Sequence, residues 1–214
     1  MKILIINPPH LSIGSRMPKE HLPPLGLLSI GGPLIDAGHE VRLLDSDFKP
    51  LNYKQIVSQV FQHQPDAIML GHFGSTSAQP IINEIAVQVR EHNPNIKIII
   101  GGVFPTYHWH EILNKNPQID YIVCGEGEEV AVNLIKAIEG ATPLENVRGI
   151  AFRLSGTPTK TPSPKSIKNL DDYRIGWELM SGYDYTYWGK RKAVVIQFSR
   201  GCPYPCTYCG QSLF

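Results

Sequence analysis

IKIIIGG, residues 96–102, is a nearly continuous β-branched run closed by paired glycines, the pattern of a strand buried on both faces. Four further apolar runs flank it: KILIIN at 2–7, EVRLLD at 40–45, DAIMLGHFG at 66–74 and IDYIVCGEG at 119–127. Amphipathic stretches separate them, with helices expected through LGLLSIGGPLIDAG and near 53–63, 79–92, 107–115 and 128–139. Five β-then-α repeats predict an α/β fold, a five-stranded doubly wound parallel sheet with helices on both faces.

The chain has 214 residues, 42% of them hydrophobic and 18% charged, which suits a globular domain plus part of another. A formal charge of +1 with interspersed signs gives no electrostatic footprint for a phosphate backbone, so nucleic acid is not expected as a partner. The opening MKILIINPPH carries a five-residue apolar run stopped by Pro8 and Pro9, too short for a signal peptide or a transmembrane segment. A cytoplasmic protein is expected, and its four cysteines then read as metal ligands or buried small residues, not disulfides.

After Gly140 the pattern changes. VRGIAFRLSGTPTK reads as a small hairpin and TPTKTPSPKSIKNLDDY as an extended connector. KAVVIQFSRGC then reads as a fresh buried strand running into a cysteine loop. The expected domains are residues 1–145, a hairpin and linker at 146–192, and the start of a second domain at 193–214.

That loop, SRGCPYPCTYCG, places Cys202, Cys206 and Cys209 at x3 and x2 spacing, three soft thiolates suited to zinc or to an iron–sulfur cubane. All eight histidines lie at or before His110, and Cys124 stands far upstream, so no second ligand pair completes a closed zinc site. The spacing, with Tyr208 before the last cysteine, resembles the signature of radical S-adenosylmethionine enzymes. The resemblance implies a [4Fe-4S] cluster whose free iron chelates S-adenosylmethionine, whose reductive cleavage gives a 5′-deoxyadenosyl radical. It also implies that 193–214 begins a β/α barrel whose S-adenosylmethionine-binding positions lie beyond this chain. A structural zinc knuckle is the competing reading.

In a doubly wound sheet the ligand lies across the C-terminal strand ends. Gly71, Gly74, Ser75, Thr76 and Ser77 follow the third expected strand, Gly101 and Gly102 the fourth, and Gly125, Glu126 and Gly127 the fifth. Such residues permit close backbone approach by a large flat ligand. Gly125-x-Gly127 is half of a dinucleotide fingerprint, but Val130 occupies the third glycine position and the motif follows the wrong strand. Together with the cysteine loop, ILIINPP, PPLGLLSI, the Gly-Gly turn and VCGEGE resemble the Rossmann-like cobalamin-binding domain of cobalamin-dependent radical S-adenosylmethionine enzymes. That resemblance implies a nucleotide tail lined by Ser75, Thr76, Ser77, Gly101, Gly102, Gly125, Glu126 and Gly127, and a corrin near Pro8 and Pro9. NPPHLSIG offers His10 without an orienting aspartate, so cobalt is expected to lack a histidine ligand. His108 and His110, two apart on an expected helix, read as surface residues.

GSTSAQP, RIGWELMSGYDYTYWGK and QFSRGCPYPCTYCGQ resemble the anaerobic magnesium-protoporphyrin IX monomethyl ester oxidative cyclases. The resemblance implies an oxidoreductase of chlorophyll or bacteriochlorophyll biosynthesis that closes the isocyclic ring with oxygen from water. It further implies a porphyrin substrate and an electron donor such as a flavodoxin or ferredoxin, with this chain alone inactive. Trp177, Tyr185, Tyr187 and Trp188 read either as a porphyrin-facing surface or as packing of the connector against the domains. A cobalamin-dependent radical methyltransferase and a cobalamin-binding module without catalysis are the alternatives.

Overall fold

The computed structural model describes residues 1–9, 21–71, 78–187, 189–202, 204, 206 and 207. Strands and helices alternate in the order β1 (Lys2–Asn7), α1 (Leu25–Asp36), β2 (Glu40–Asp45), α2 (Tyr53–His63), β3 (Ala67–Gly71), α3 (Gln79–His92), β4 (Lys97–Gly101), α4 (Val103–Lys115), β5 (Tyr121–Val123) and α5 (Glu128–Ile138). β6 (Ile150–Leu154), β7 (Thr157–Lys160), β8 (Thr186–Tyr187) and β9 (Arg191–Lys192) follow.

β1 to β5 are parallel and pair in the order β2-β1-β3-β4-β5, so the topological switch point lies between β1 and β3. The sheet is buried on both faces because alternate residues of one strand enter different cores. Leu4, Ile6, Ile68, Leu70, Ile98 and Ile100 meet buried residues of α2, α3 and α4. Ile3, Ile5, Ala67, Met69, Ile99 and Val123 meet α1 and α5. Each alternate position being apolar is why IKIIIGG shows no period of two. Asn52 and Gln55 start α2 with a reciprocal capping box, side chain to backbone at 3.0 and 2.9 Å.

Three features depart from the sequence reading. The hairpin assigned to the linker continues the sheet, with β6 antiparallel to β5 and β7 antiparallel to β6, giving seven strands. β5 is only three residues long, and β6 covers the edge it would otherwise expose. Helix α4 begins at Val103, four residues ahead of the expected 107, because Gly102 at φ +108° turns the chain straight from β4 into the helix. Pro105 is tolerated there because first-turn N–H groups have no intrahelical partner.

The third departure is KAVVIQF. Beyond Ala193, whose N–H donates to Tyr185 O at 3.3 Å, it pairs with no strand among the described residues, and Val194, Ile196 and Phe198 are 55%, 63% and 90% exposed. A β-strand needs a neighbour for its backbone groups, and the sheet of this chain already ends in β2 and β7. No helix among the described residues is long and apolar enough to cross a membrane.

The connector is docked on α1. Gly176 N donates to Leu28 O at 2.9 Å, and Leu179, 9% exposed, joins the core beside α1 and α5. Gly31 and Gly32 make this possible: a Cβ on Gly32 would lie 1.9 Å from the Arg174 carbonyl oxygen, and one on Gly31 2.3 Å from Leu179 Cδ1.

Candidate cofactor edge and cysteine loop

The C-terminal ends of β3, β4 and β5 lie in one row, with Gly71 opposite Gly101 and Gly101 opposite Val123. Ile6 stands opposite Leu70, which brings the end of β1 and the buried Pro8 to the same edge, with Pro9 half-buried. The absent side chains are used differently along this row. At Gly71 the space is taken by Leu27 of α1, whose Cδ2 would lie 3.0 Å from a Cβ. At Gly127 Ile30 fills it, at 3.0 Å. At Gly101 a Cβ would meet only Val123, at 3.5 Å, so packing does not demand a glycine there. Gly101 is half-buried and Gly102 exposed, at the mouth of the row.

The turn after β4 is tied to the turn after β5 by Thr106. Its hydroxyl donates to Gly102 O at 2.8 Å and accepts from Gly125 N at 3.0 Å. Gly102 and Gly125 have φ of +108° and +82°, in the region that favours glycine. Among the described residues no side chain caps α4 at Gly102, and the first N–H groups of this helix stand at the C-terminal end of β4. The first turn of α5 carries Glu128 and Glu129, which disfavour an anion at that helix end. A polar, phosphate-bearing tail is therefore suited to the β4–α4 turn and not to the β5–α5 turn. Thr106 was not among the residues singled out in the sequence, although it sits within IIIGGVFPT.

Glu126, expected at the ligand edge, faces the connector. Its Oε2 accepts from Ile167 N at 2.7 Å and its Oε1 pairs with Arg200 Nη1 at 3.3 Å. Arg200 Nη2 also binds Glu128, which is 4% exposed. Burial opposes charge on the guanidinium, but the hydrogen bonds and charges of Glu128 and Glu126 prevail and hold its pKa above the usual arginine value.

At the opposite end of the edge, Asp45 is 3% exposed and fully engaged. Its Oδ1 accepts from Asn7 Nδ2 at 2.8 Å and from the N–H groups of Asp47 and Phe48 at 3.1 and 3.0 Å; Oδ2 accepts from Tyr185 Oη at 2.6 Å. Tyr185, 4% exposed, packs on Phe48 and Tyr183, and burial then Asp45 push its phenol pKa upward. Trp177 packs at the edge of the core shared by α1 and α5. Of the two readings of the connector aromatics, packing is the one these two residues satisfy. Tyr187 is half-buried and Trp188 lies outside the described residues.

Cys202 and Cys206 are exposed and free; Cys209 lies outside the described residues, as do His10, Gly74, Ser75, Thr76 and Ser77. Among the described residues no three His, Cys, Asp or Glu side chains converge as a metal site. Cys124 is 1% exposed, its thiol pushed up to about 11 by burial, which fits a packing role and not a ligand. His108 and His110 are exposed, His108 beside Glu111 at 3.7 Å, as expected of surface residues.

The B12 binding domain model matches residues 16–135. The chain belongs to the B12-binding domain family. Within it, this chain is 56% identical over all 214 residues to an anaerobic magnesium-protoporphyrin IX monomethyl ester cyclase of Synechocystis, spanning 43% of that protein. A cyclase of the same description from Rubrivivax gelatinosus is 31% identical, with 100% of this chain and 39% of that protein covered. The solved structure of the cobalamin-dependent S-adenosylmethionine radical enzyme OxsB, with aqua-cobalamin and S-adenosylmethionine bound, superposes with a TM-score of 0.75 at 21% identity. It covers 97% of this chain and 28% of that one, a likeness of fold. The chain thus spans less than half the length of the curated relatives it matches.

Proposed function

We propose that this B12-binding chain is the cobalamin-holding part of a radical S-adenosylmethionine oxidative cyclase that forms the isocyclic ring of magnesium-protoporphyrin IX monomethyl ester. The observation that carries the reading is 56% identity to the Synechocystis cyclase along the entire chain, cysteine loop included. The residues present fit the cofactor. Gly101, where packing does not demand a glycine, and the α4 N-terminus at Gly102, with no capping side chain among the described residues, suit the close approach of a flat ring system with a phosphate-bearing tail. The thiol set Cys202, Cys206 and Cys209 is soft and three-coordinate, as an open [4Fe-4S] site requires.

When bound, cobalamin and the cluster with S-adenosylmethionine supply the one-electron and radical chemistry. The chain's own residues shape and hold the site. Gly101 and Gly102 let the ring approach the backbone, Thr106 fixes the spacing of the two flanking turns, and Leu27 and Ile30 close the apolar side. Ser75, Thr76 and Ser77, which lie outside the described residues, are assigned to the tail by the resemblance alone, and Gly125 and Gly127 shape the turn after β5. An electron donor of the flavodoxin or ferredoxin class and a cytoplasmic location complete the proposal.

Anaerobic titration with hydroxocobalamin, followed by gel filtration and a visible spectrum of the protein peak, tests it. A co-eluting base-off corrin spectrum is expected; a folded protein that retains no cobalamin refutes the reading.

A further inference from the structure

Arg200 stands two residues before Cys202, yet its guanidinium reaches 74 residues back along the chain to Glu126, and to Glu128 at the start of α5. All three side chains are shielded: 23% exposure for Arg200, 13% for Glu126 and 5% for Glu128. The second oxygen of Glu126 is held by Ile167 N, so this carboxylate joins β5, the connector and the cysteine segment at one point. The neighbouring chain behaves differently. Val194, Ile196 and Phe198 are exposed, and beyond Ala193, whose N–H donates to Tyr185 O at 3.3 Å, residues 194–198 pair with no strand among the described residues. Among the described residues, the backbone bond of Ala193 N to Tyr185 O precedes the exposed stretch, apolar burial does not place the cysteine loop, and this ion pair is its polar anchor.

A guanidinium bound by two carboxylates is a directional clamp, worth more when shielded from water than on an open surface. Glu128 without a cation would be a buried charge with no partner, which makes the paired arrangement strongly preferred. The turn it clamps, between Val123 and Glu128, is the one whose Gly125 N–H is bonded to Thr106 and hence to the β4–α4 turn.

We propose that Arg200 is a positioning residue that registers the cluster-binding loop against the cobalamin edge by engaging Glu126 and Glu128. The inference rests on the cofactor assignment above. Its content is spatial: the separation between the thiolate loop and the corrin is set by this clamp.

Two measurements test it. Trypsin cuts after accessible arginine and lysine, and Arg191 and Lys192 are exposed whereas Arg200 is not. Cleavage after Arg200 is expected to be slow relative to the Arg191–Lys192 site, and Glu126→Gln or Glu128→Gln to accelerate it roughly tenfold or more, with the internal control unchanged. Equal cleavage at both sites in the unaltered chain overturns the clamp without reference to any cofactor.

The second measurement uses a fluorophore on Cys202, with Cys206 and Cys209 changed to serine; the buried Cys124 does not react. Bound hydroxocobalamin is expected to quench the label strongly. Arg200→Gln should remove more than half of that quenching at unchanged cobalamin affinity, and Arg200→Lys should restore much of it. Undiminished quenching in Arg200→Gln refutes the positioning role. A chain that protects Arg200 from trypsin but retains no cobalamin refutes the cofactor assignment and the role built on it, while leaving the clamp as a contact.

Discussion

Replacing Gly32 by alanine sets helix propensity against packing, and the two make opposite predictions. In an open helix the change stabilises by about 0.5–1 kcal/mol, since glycine loses more backbone entropy on folding. Here the new Cβ would sit 1.9 Å from Arg174 O, 2.8 Å from its carbonyl carbon and 2.9 Å from Gly176 N, all backbone atoms that no rotamer change can move aside. The connector must lift from α1. It then forfeits the burial of Leu179, worth about 1.5–3 kcal/mol, and the hydrogen bond from Gly176 N to Leu28 O, worth about 1 kcal/mol. Strain spreading to Tyr185 would add to this. The net expectation is a loss of about 2–3 kcal/mol, which for a chain of this size lowers Tm by roughly 5–10 °C.

Two neighbours calibrate the result. A Cβ on Gly26 has nothing within 4 Å, so Gly26→Ala should be neutral or slightly stabilising. Gly31→Ala meets side-chain ends, Leu179 Cδ1 at 2.3 Å and Ile5 Cδ1 at 3.5 Å, and should fall between the other two. Urea unfolding of the three variants at one pH gives the order directly. Gly32→Ala as stable as the unaltered chain would show that the connector does not depend on close approach to α1.

Gly101→Ala should leave Tm unchanged or slightly raised, because its Cβ meets only Val123 at ordinary contact and alanine loses less backbone entropy than glycine, while hydroxocobalamin retention falls severalfold. Undiminished retention on gel filtration would remove Gly101 from the site. Tyr185→Phe removes the donor to buried Asp45 while keeping the ring, and should cost about 1.5–3 kcal/mol in urea unfolding with an unchanged m-value. The His39 side chain is 6% exposed, and burial first, then the Met1 ammonium, lower its pKa below 6.5. The unfolded chain therefore binds the proton more readily, so His39 reduces stability as pH falls below about 6.5 and has no effect well above it. Urea midpoints between pH 5.5 and 8 should show this slope, and His39→Gln should flatten it.

Much of this molecule is local and so could be read from residue types. Ile98, Ile99 and Ile100 alternate between two cores and are apolar on both sides, which marks a buried parallel strand without reference to any partner. Asn52 and Gln55 announce the start of α2 within four residues, and the x3 and x2 cysteine spacing is likewise contained in one short loop. What the tertiary structure alone decided depends on groups distant in sequence. A glycine at a strand end does not tell whether its missing side chain makes room for a ligand or for a helix: Gly71 and Gly127 accommodate Leu27 and Ile30, while a Cβ at Gly101 would make only ordinary contact with Val123. Glu126 has the same chemistry whether it faces a cofactor or a guanidinium, and only the return of the chain at Arg200 commits it to the latter. KAVVIQF carries strand propensity, yet propensity cannot supply the neighbouring strand that its backbone requires. Local pattern determines which element a segment can form; long-range contact decides what that element faces.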